Sequence, residues 1–96
     1  MSNREKMIEK PWGHEEILHK DDVYRVKKLV VNEGQRTSLQ YHKKKHEVMF
    51  YPNGSFEYFK PYDKHRLEGP IEVLEVSWGG SDEDIVRLED DYGRSQ

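Results

Sequence analysis

Thr37-Ser38-Leu39-Gln40-Tyr41-His42, the tract Lys43-Lys44-Lys45, and His46-Glu47-Val48-Met49-Phe50-Tyr51-Pro52-Asn53-Gly54 form the stretch whose reading decides the fold. Short runs rich in Val, Ile, Tyr and Phe, bounded by turn residues, read as strands rather than helices. In a strand, residues two apart share a face, so Gln40 and His42 point the same way. Glu47 lies five positions beyond His42, an odd step that would turn it away if one strand continued. The lysine tract reads as a turn or strand break that resets the face. Glu47, Met49 and Tyr51 then look into the same interior as His42.

Working outward, Glu33-Gly34, Pro52-Asn53-Gly54, Lys60-Pro61, Gly69-Pro70 and Gly79-Gly80 punctuate the chain. Between them the pattern predicts strands near 15–18, 23–31, 37–42, 47–51, 55–59, 71–78 and 85–88. Seven short strands in a small chain point to an all-β sandwich or barrel. Asp22 to Leu29 does not alternate cleanly, which predicts a bulge or an edge position. Ile71 to Val76 is partly apolar on both faces, as for a strand covered on both sides or shared with another subunit. Residues 1–9 and Ser95-Gln96 read as mobile ends around a single domain spanning 10–94.

With 96 residues the chain has room for one core. Only 33% of residues are hydrophobic and 36% are charged, so that core is small relative to the surface. Disorder usually goes with high net charge and few aromatics, but here 16 basic and 19 acidic residues leave a net −3. The chain also carries two Trp, six Tyr and three Phe, and reads as folded. The absence of cysteine excludes disulfides and thiolate metal sites and fits a cytoplasmic location. No apolar run approaches the roughly 20 residues of a membrane-spanning helix, and Met1 to Lys10 has no apolar signal region. Three lysines in a protein of pI about 5.9 do not make a nucleic-acid surface.

A further histidine, His65, follows the turn-rich Lys60-Pro61-Tyr62-Asp63-Lys64. His42, His65, Glu47 and the amide oxygen of Gln40 form a nitrogen and oxygen set suited to Zn, Mn, Fe, Ni or Co. By spacing alone such a set arises easily in a chain with five His and 19 acidic residues, and both histidines also read as ordinary polar strand positions.

Four motifs in order carry a resemblance: Lys10-Pro11-Trp12-Gly13, Gly34-Gln35-Arg36-Thr37-Ser38-Leu39-Gln40-Tyr41-His42, His65-Arg66-Leu67-Glu68 and Val86-Arg87-Leu88-Glu89-Asp90-Asp91-Tyr92-Gly93-Arg94. The chain resembles the cupins of the type II mannose-6-phosphate isomerase group, which also form the C-terminal part of bifunctional mannose-1-phosphate guanylyltransferases. The resemblance implies a double-stranded β-helix, a small jelly-roll barrel, with a divalent metal in its mouth. His42 falls on the first histidine of the first cupin motif, Glu47 on its glutamate, Gly54 on its glycine, and His65 on the histidine of the second motif. Gln40 is similar to a glutamine ligand of the type I isomerases. Lys44 stands where many cupins have a second histidine, with His46 available as a substitute ligand. Only eleven positions separate Gly54 from His65, where relatives usually insert a hairpin, so the barrel is expected to be truncated.

The activity implied is metal-dependent aldose–ketose isomerisation of a sugar phosphate or a related nucleotide sugar. The alternative is a non-catalytic cupin that binds sugar or serves in oligomerisation. Glu57, Lys44 and His46 are candidates for the general base by residue type and proximity in sequence. Arg36, Lys64, Arg66 and Arg87 are candidates for holding a phosphate, and equally read as surface charges. Trp12 and Trp78 could stack on a sugar, although Trp12 reads better as an anchor for the N-terminal segment. Arg87, Asp90, Tyr92 and Arg94 read as a polar cluster that staples the C-terminus. A barrel short of two strands exposes edges, and a homodimer is expected to cover them.

Overall fold

The punctuated apolar runs fold into eight strands, seen in a computed structural model that describes residues 6–81 and 83–95. They are β1 (Met7–Lys10), β2 (Gly13–Lys20), β3 (Tyr24–Val31), β4 (Leu39–Tyr41), β5 (His46–Phe50), β6 (Phe56–Phe59), β7 (Ile71–Trp78) and β8 (Val86–Glu89). A six-stranded sheet runs in the order β1-β2-β3-β7-β5-β6, and β4 pairs with β8 in a two-stranded sheet. Every named pairing is antiparallel. The chain is all-β, and no described helix is long and apolar enough to cross a membrane.

Three features differ from the sequence reading. Met7–Lys10, whose first three residues fall in the segment 1–9 expected to be mobile, is a strand whose residues pair with Gly13 to Glu16; residues 1–5 lie outside the described residues, as does Gln96. The irregularity expected in 22–29 is real, but the register shift falls between Ile17 and His19 on the partner β2. Strand β3 is no edge, since β2 and β7 flank it. Where a hairpin was expected to be missing, the chain leaves β6 through a turn at Lys60–Asp63, closed by Asp63 N–H donating to the Lys60 carbonyl at 3.0 Å. It then makes only isolated bridges, His65 with Gln40 and Glu68 with Arg36. The second sheet is correspondingly small.

The interior has two ends, set by register between β3 and β7. Val31 lies opposite Ile71 and Leu29 opposite Val73, then Lys27 opposite Glu75 and Arg25 opposite Ser77. The first two rows belong to an apolar cluster of Trp12, Leu29, Val31, Met49, Leu67 and Val73, with Tyr51, Phe59, Ile71 and Tyr92 against it. The next two carry polar groups inward. Among the described residues eight buried polar or charged side chains accompany six buried hydrophobic ones, which is how a chain of so low an apolar content fills its interior. Gly13 is required where β2 turns in after Trp12: its φ is +155° and a Cβ would run into the Val30 carbonyl oxygen.

The C-terminal cluster is structural. The Tyr92 hydroxyl donates to Gln35 Oε1 at 2.6 Å, and Arg94 Nε and Nη2 donate to the two oxygens of Asp90 at 2.9 and 3.0 Å. The Arg94 guanidinium holds the Asp90 carboxyl below its usual 3.8, against the opposing effect of burial. A depressed value means that the unfolded chain protonates first as pH falls, so this stabilisation is complete above 3.8 and is lost below it. Asp90→Asn is therefore expected to destabilise at pH 7, with the gap to the parent protein narrowing between about pH 4 and pH 2, read by urea unfolding. Tyr92→Phe is expected to cost about 1 kcal/mol in the same measurement.

Candidate metal centre

Strand β4 delivers His42 at its end, and the lysine tract then breaks the strand. The break is held by one carboxylate: Asp84 accepts from the backbone N–H groups of Lys43, Lys44 and Lys45 at 3.1, 2.6 and 3.0 Å. Burial opposes ionisation of Asp84, but these three donors outweigh it and hold its carboxyl low. Lys43 and Lys44 are exposed in this turn, Lys45 and Glu47 are buried, and His46 between them faces outward. The face is thereby reset, and His42 and Glu47 look into one interior.

His65 arrives on the loop after β6. Its backbone exchanges both hydrogen bonds with Gln40, at 3.0 and 2.9 Å, and its ring stacks on Phe59 at 4.5 Å. The loop is tied to the first histidine through Tyr62, whose N–H donates to the His42 carbonyl at 2.7 Å. Tyr62 has φ of 71°, an uncommon conformation for a bulky residue, and its ring stacks on Tyr41 at 5.4 Å.

Nε2 of His42 lies 2.6 Å and Nε2 of His65 3.5 Å from Glu47 Oε1. One ligand atom from each of the three residues falls within 4.8 Å of the others. On the far side of each ring, Nδ1 faces a backbone carbonyl, Asp84 at 2.6 Å for His42 and Asp63 at 3.1 Å for His65. A carbonyl can only accept, so each Nδ1 carries a proton and donates it. In the neutral rings both Nε2 lone pairs then point at a carboxylate oxygen. Glu47 Oε1 is buried without a satisfactory hydrogen-bond donor despite the close Nε2 atoms, and a cation among the three atoms satisfies all of them at once. Metal-ligating histidines are usually fixed in this way, through a hydrogen bond from the far ring nitrogen to a carbonyl or carboxylate. The donor set fits a divalent transition ion.

The surrounding charges are compensated in depth. Burial would raise the Glu47 carboxyl, while a hydrogen bond from Glu75 and the Lys45 ammonium favour its charged form. Glu75 goes the other way, driven up by burial and by the charge of Glu47. Lys45 Nζ stands 3.7 Å from Glu47 and 3.8 Å from Glu75. Lys27 donates to Glu15 at 3.1 Å. Lys45, Glu75 and Asp84 were missed by sequence reasoning. Glu75 had a signal, since it shares a strand face with Val73.

Gln40 lines the same cavity as His42, Glu47 and His65. Its amide nitrogen donates to Ser38 Oγ at 3.0 Å, which leaves the amide oxygen as its ligating group. The other candidates separate. His46 is not a substitute ligand: it stacks on Trp78 at 5.4 Å on the outer face and meets the Tyr58 hydroxyl at 2.7 Å. Lys44 is exposed in the turn, and Glu57, exposed on the sheet-edge strand β6, accepts from the Tyr51 hydroxyl at 2.6 Å. Of the proposed phosphate holders, Arg36 is clamped outside by Asp91 at 2.8 Å, Lys64 is exposed, and Arg66 donates to the Thr37 carbonyl at 3.0 Å. Only Arg87 of the four lines the cavity. Trp12 is buried in the core and accepts from Asn32 N–H at 2.9 Å, an anchoring role; Trp78 faces outward beside Tyr24.

A six-stranded sheet faced by a small second sheet, with two imidazoles and a carboxylate converging between them, is the architecture of a cupin. The family described as the mannose-6-phosphate isomerase C-terminal domain matches residues 1–57, and the chain belongs to that family. Among curated relatives, the xanthan biosynthesis protein XanB of Xanthomonas campestris pv. campestris is 29% identical over 112 residues, covering 94% of this chain and 24% of that protein. A mannose-1-phosphate guanylyltransferase of Salmonella montevideo is 30% identical over 110 residues, covering 92% and 23%. The chain thus spans about a quarter of the length of these relatives. A matched span of 112 residues against a chain of 96 also means that the relative carries residues absent here. Among solved structures, an RmlC-like cupin of Ralstonia eutropha JMP134 gives a TM-score of 0.52 at 16% identity, covering 81% of this chain and 68% of that one. The capsular polysaccharide assembling protein CapF of Staphylococcus aureus gives 0.52 at 14%, covering 86% and 34%.

Because burial and the charge of Glu47 both favour the neutral form of Glu75, Glu75→Gln, which is neutral and of similar shape, is expected to change the unfolding free energy by less than about 1 kcal/mol at pH 7. Lys45→Met leaves the buried Glu47 with less compensation and is expected to cost about 3 kcal/mol. Denaturant titration of both variants checks the contrast.

Proposed function

We propose that this chain is a metal-binding cupin domain, spanning 10–94 and located in the cytoplasm, that isomerises a sugar phosphate between aldose and ketose. The observation that carries the reading is the convergence of His42 Nε2, His65 Nε2 and a Glu47 oxygen within 4.8 Å. Those three residues, with the Gln40 amide oxygen, would hold the ion. A Zn, Mn, Fe, Ni or Co ion so held supplies Lewis acidity toward the carbonyl and neighbouring hydroxyl of an open-chain sugar. The protein's part is to fix both imidazoles by their Nδ1–H bonds, to hold the Glu47 carboxylate beside the Lys45 ammonium, and to enclose the sugar in the cavity between the sheets. Glu57, Lys44 and His46 lie outside that cavity, and the reading gives them no role in proton transfer. Support for the substrate class comes from the family and from the mannose-1-phosphate guanylyltransferase among the relatives.

Protein purified without an affinity tag is expected to carry about one equivalent of divalent metal and to convert mannose 6-phosphate to fructose 6-phosphate. His42→Ala and His65→Ala are expected to lose both properties. A metal-free preparation that takes up no added metal and turns over no sugar phosphate contradicts the reading.

One observation favours assembly as a further property, whether or not the domain is catalytic. The outer face of the six-stranded sheet presents Tyr24, Phe50, Phe56, Tyr58 and Leu74, each at least 36% exposed. Phe50 lies opposite both Leu74 and Phe56, so these side chains form one continuous patch. A second copy of the same aromatic patch is its natural cover, an isologous dimer. Sedimentation at micromolar concentration is expected to give a dimer, and Phe50→Glu a monomer. A monomeric parent protein contradicts it.

A further inference from the structure

His65 reaches the metal centre on a loop, with no strand behind it. Strand β6 ends at Phe59, and the chain arrives at His65 through Lys60-Pro61-Tyr62-Asp63-Lys64, making only an isolated bridge to Gln40 there. Asp63 N–H donates to the Lys60 carbonyl at 3.0 Å, Pro61 sets its own φ at about −65°, and Tyr62 has φ of 71°. Together these define a type II turn with Tyr62 at its third position, where positive φ calls for glycine or asparagine. A bulky residue there carries a conformational cost, and the ring is what glycine would lack.

Core packing does not account for that ring, which belongs to a residue 62% exposed. It stacks on Tyr41, with centroids 5.4 Å apart and planes 27° from parallel. Both tyrosines adjoin the centre. Tyr41 stands between Gln40 and His42 in sequence, and Tyr62 N–H donates to the His42 carbonyl at 2.7 Å. The next residue, Asp63, presents its carbonyl to His65 Nδ1 at 3.1 Å. Its carboxylate is used within the turn, accepting from Lys60 N–H at 3.0 Å and Lys60 Nζ at 2.8 Å. Neither Tyr41 nor Tyr62 lines the cavity, so an effect of the Tyr62 ring on a bound ion has to pass through His65. The two histidines are also held unequally. His42 Nδ1 meets its carbonyl at 2.6 Å and its Nε2 lies 2.6 Å from Glu47, against 3.1 and 3.5 Å for His65. His65 is therefore the ligand whose place depends most on its loop.

We propose that Tyr62 is the positioning residue for His65: its ring, stacked on Tyr41, locks the type II turn against β4 and keeps the imidazole turned toward Glu47. The consequence for a bound ion rests on the metal-centre reading above; the hold on the imidazole does not.

The test uses the full chain, with zinc titration by calorimetry, proton–nitrogen NMR of the histidine rings in the metal-free protein, and circular dichroism to check folding. Tyr62→Ala and Tyr62→Gly are expected to bind zinc at least about tenfold more weakly. Their His65 ring signals are expected to move from a single Nδ1–H tautomer toward those of a mobile histidine, with the His42 ring signals unchanged. Tyr62→Phe, which keeps the ring, and Lys64→Ala, exposed on the same loop, are expected to stay within about twofold of the parent. If Tyr62→Ala does not fold, Tyr62→Gly decides, because glycine suits the positive φ. Unchanged zinc affinity or unchanged His65 signals in Tyr62→Gly overturns the proposal, as does an equal loss in Lys64→Ala or a joint shift of His42 and His65. A parent protein that takes up no zinc contradicts the metal-centre reading. The metal-free spectra then decide the proposal alone: it stands if His65 by itself shifts in Tyr62→Gly and falls if it does not.

Discussion

The buried carboxylate of Glu47 is the constraint around which the interior is organised. It is 1% exposed, and a charge so placed is tolerated only with opposite charge and directed donors or with a bound cation. The chain supplies the Lys45 ammonium on one side, and on the other two imidazoles whose free Nε2 atoms leave room for a cation between them and the carboxylate. Each imidazole is fixed by an Nδ1–H bond to a loop carbonyl, so the loops bearing Asp63 and Asp84 are as much part of the centre as the rings they hold. Glu75 completes the arrangement with a carboxyl that burial and the charge of Glu47 push upward.

This constraint explains the division of the interior. Leu29, Val31 and Val73 pack with Trp12 at one end, while Lys27, Glu75 and Ser77 continue the same strand faces into the polar end. The apolar core is correspondingly small, and burial within one chain leaves the outer face of the main sheet aromatic. The same economy accounts for the second sheet of only two strands. His65 reaches the centre from a loop, through paired hydrogen bonds to Gln40 and a stack on Phe59, without a strand of its own.

Much of this was legible in the sequence, for reasons that differ by element. The strand-rich pattern and the face reset at Lys43–Lys45 followed from two-residue periodicity, and the reset is what brings His42 and Glu47 together. The pairing of His65 with them came from the resemblance to the cupins, because a loop residue has no periodicity to read. Strand β1 was illegible: Met7-Ile8-Glu9-Lys10 is short, carries only two apolar residues and is mostly exposed, and pairing with β2 alone makes it a strand. Asp84 gave no local signal, since its role depends on a turn some forty residues earlier in the chain. Lys45 was grouped with its two exposed neighbours although it shares alternation with Glu47. His46 and Lys44 were weighed for the site by sequence proximity, whereas direction matters more: one faces the outer aromatic patch and the other faces solvent.

The central claim is that the two Nε2 atoms and the Glu47 oxygen form a metal-binding set. X-ray absorption spectroscopy of the zinc- or cobalt-loaded protein addresses this most directly, because scattering from imidazole rings reports histidine ligands without depending on turnover. The account predicts two imidazole nitrogens with oxygen ligands completing the shell, falling to one imidazole in His65→Ala. A spectrum with oxygen ligands only, unchanged in His42→Ala and His65→Ala, would contradict it.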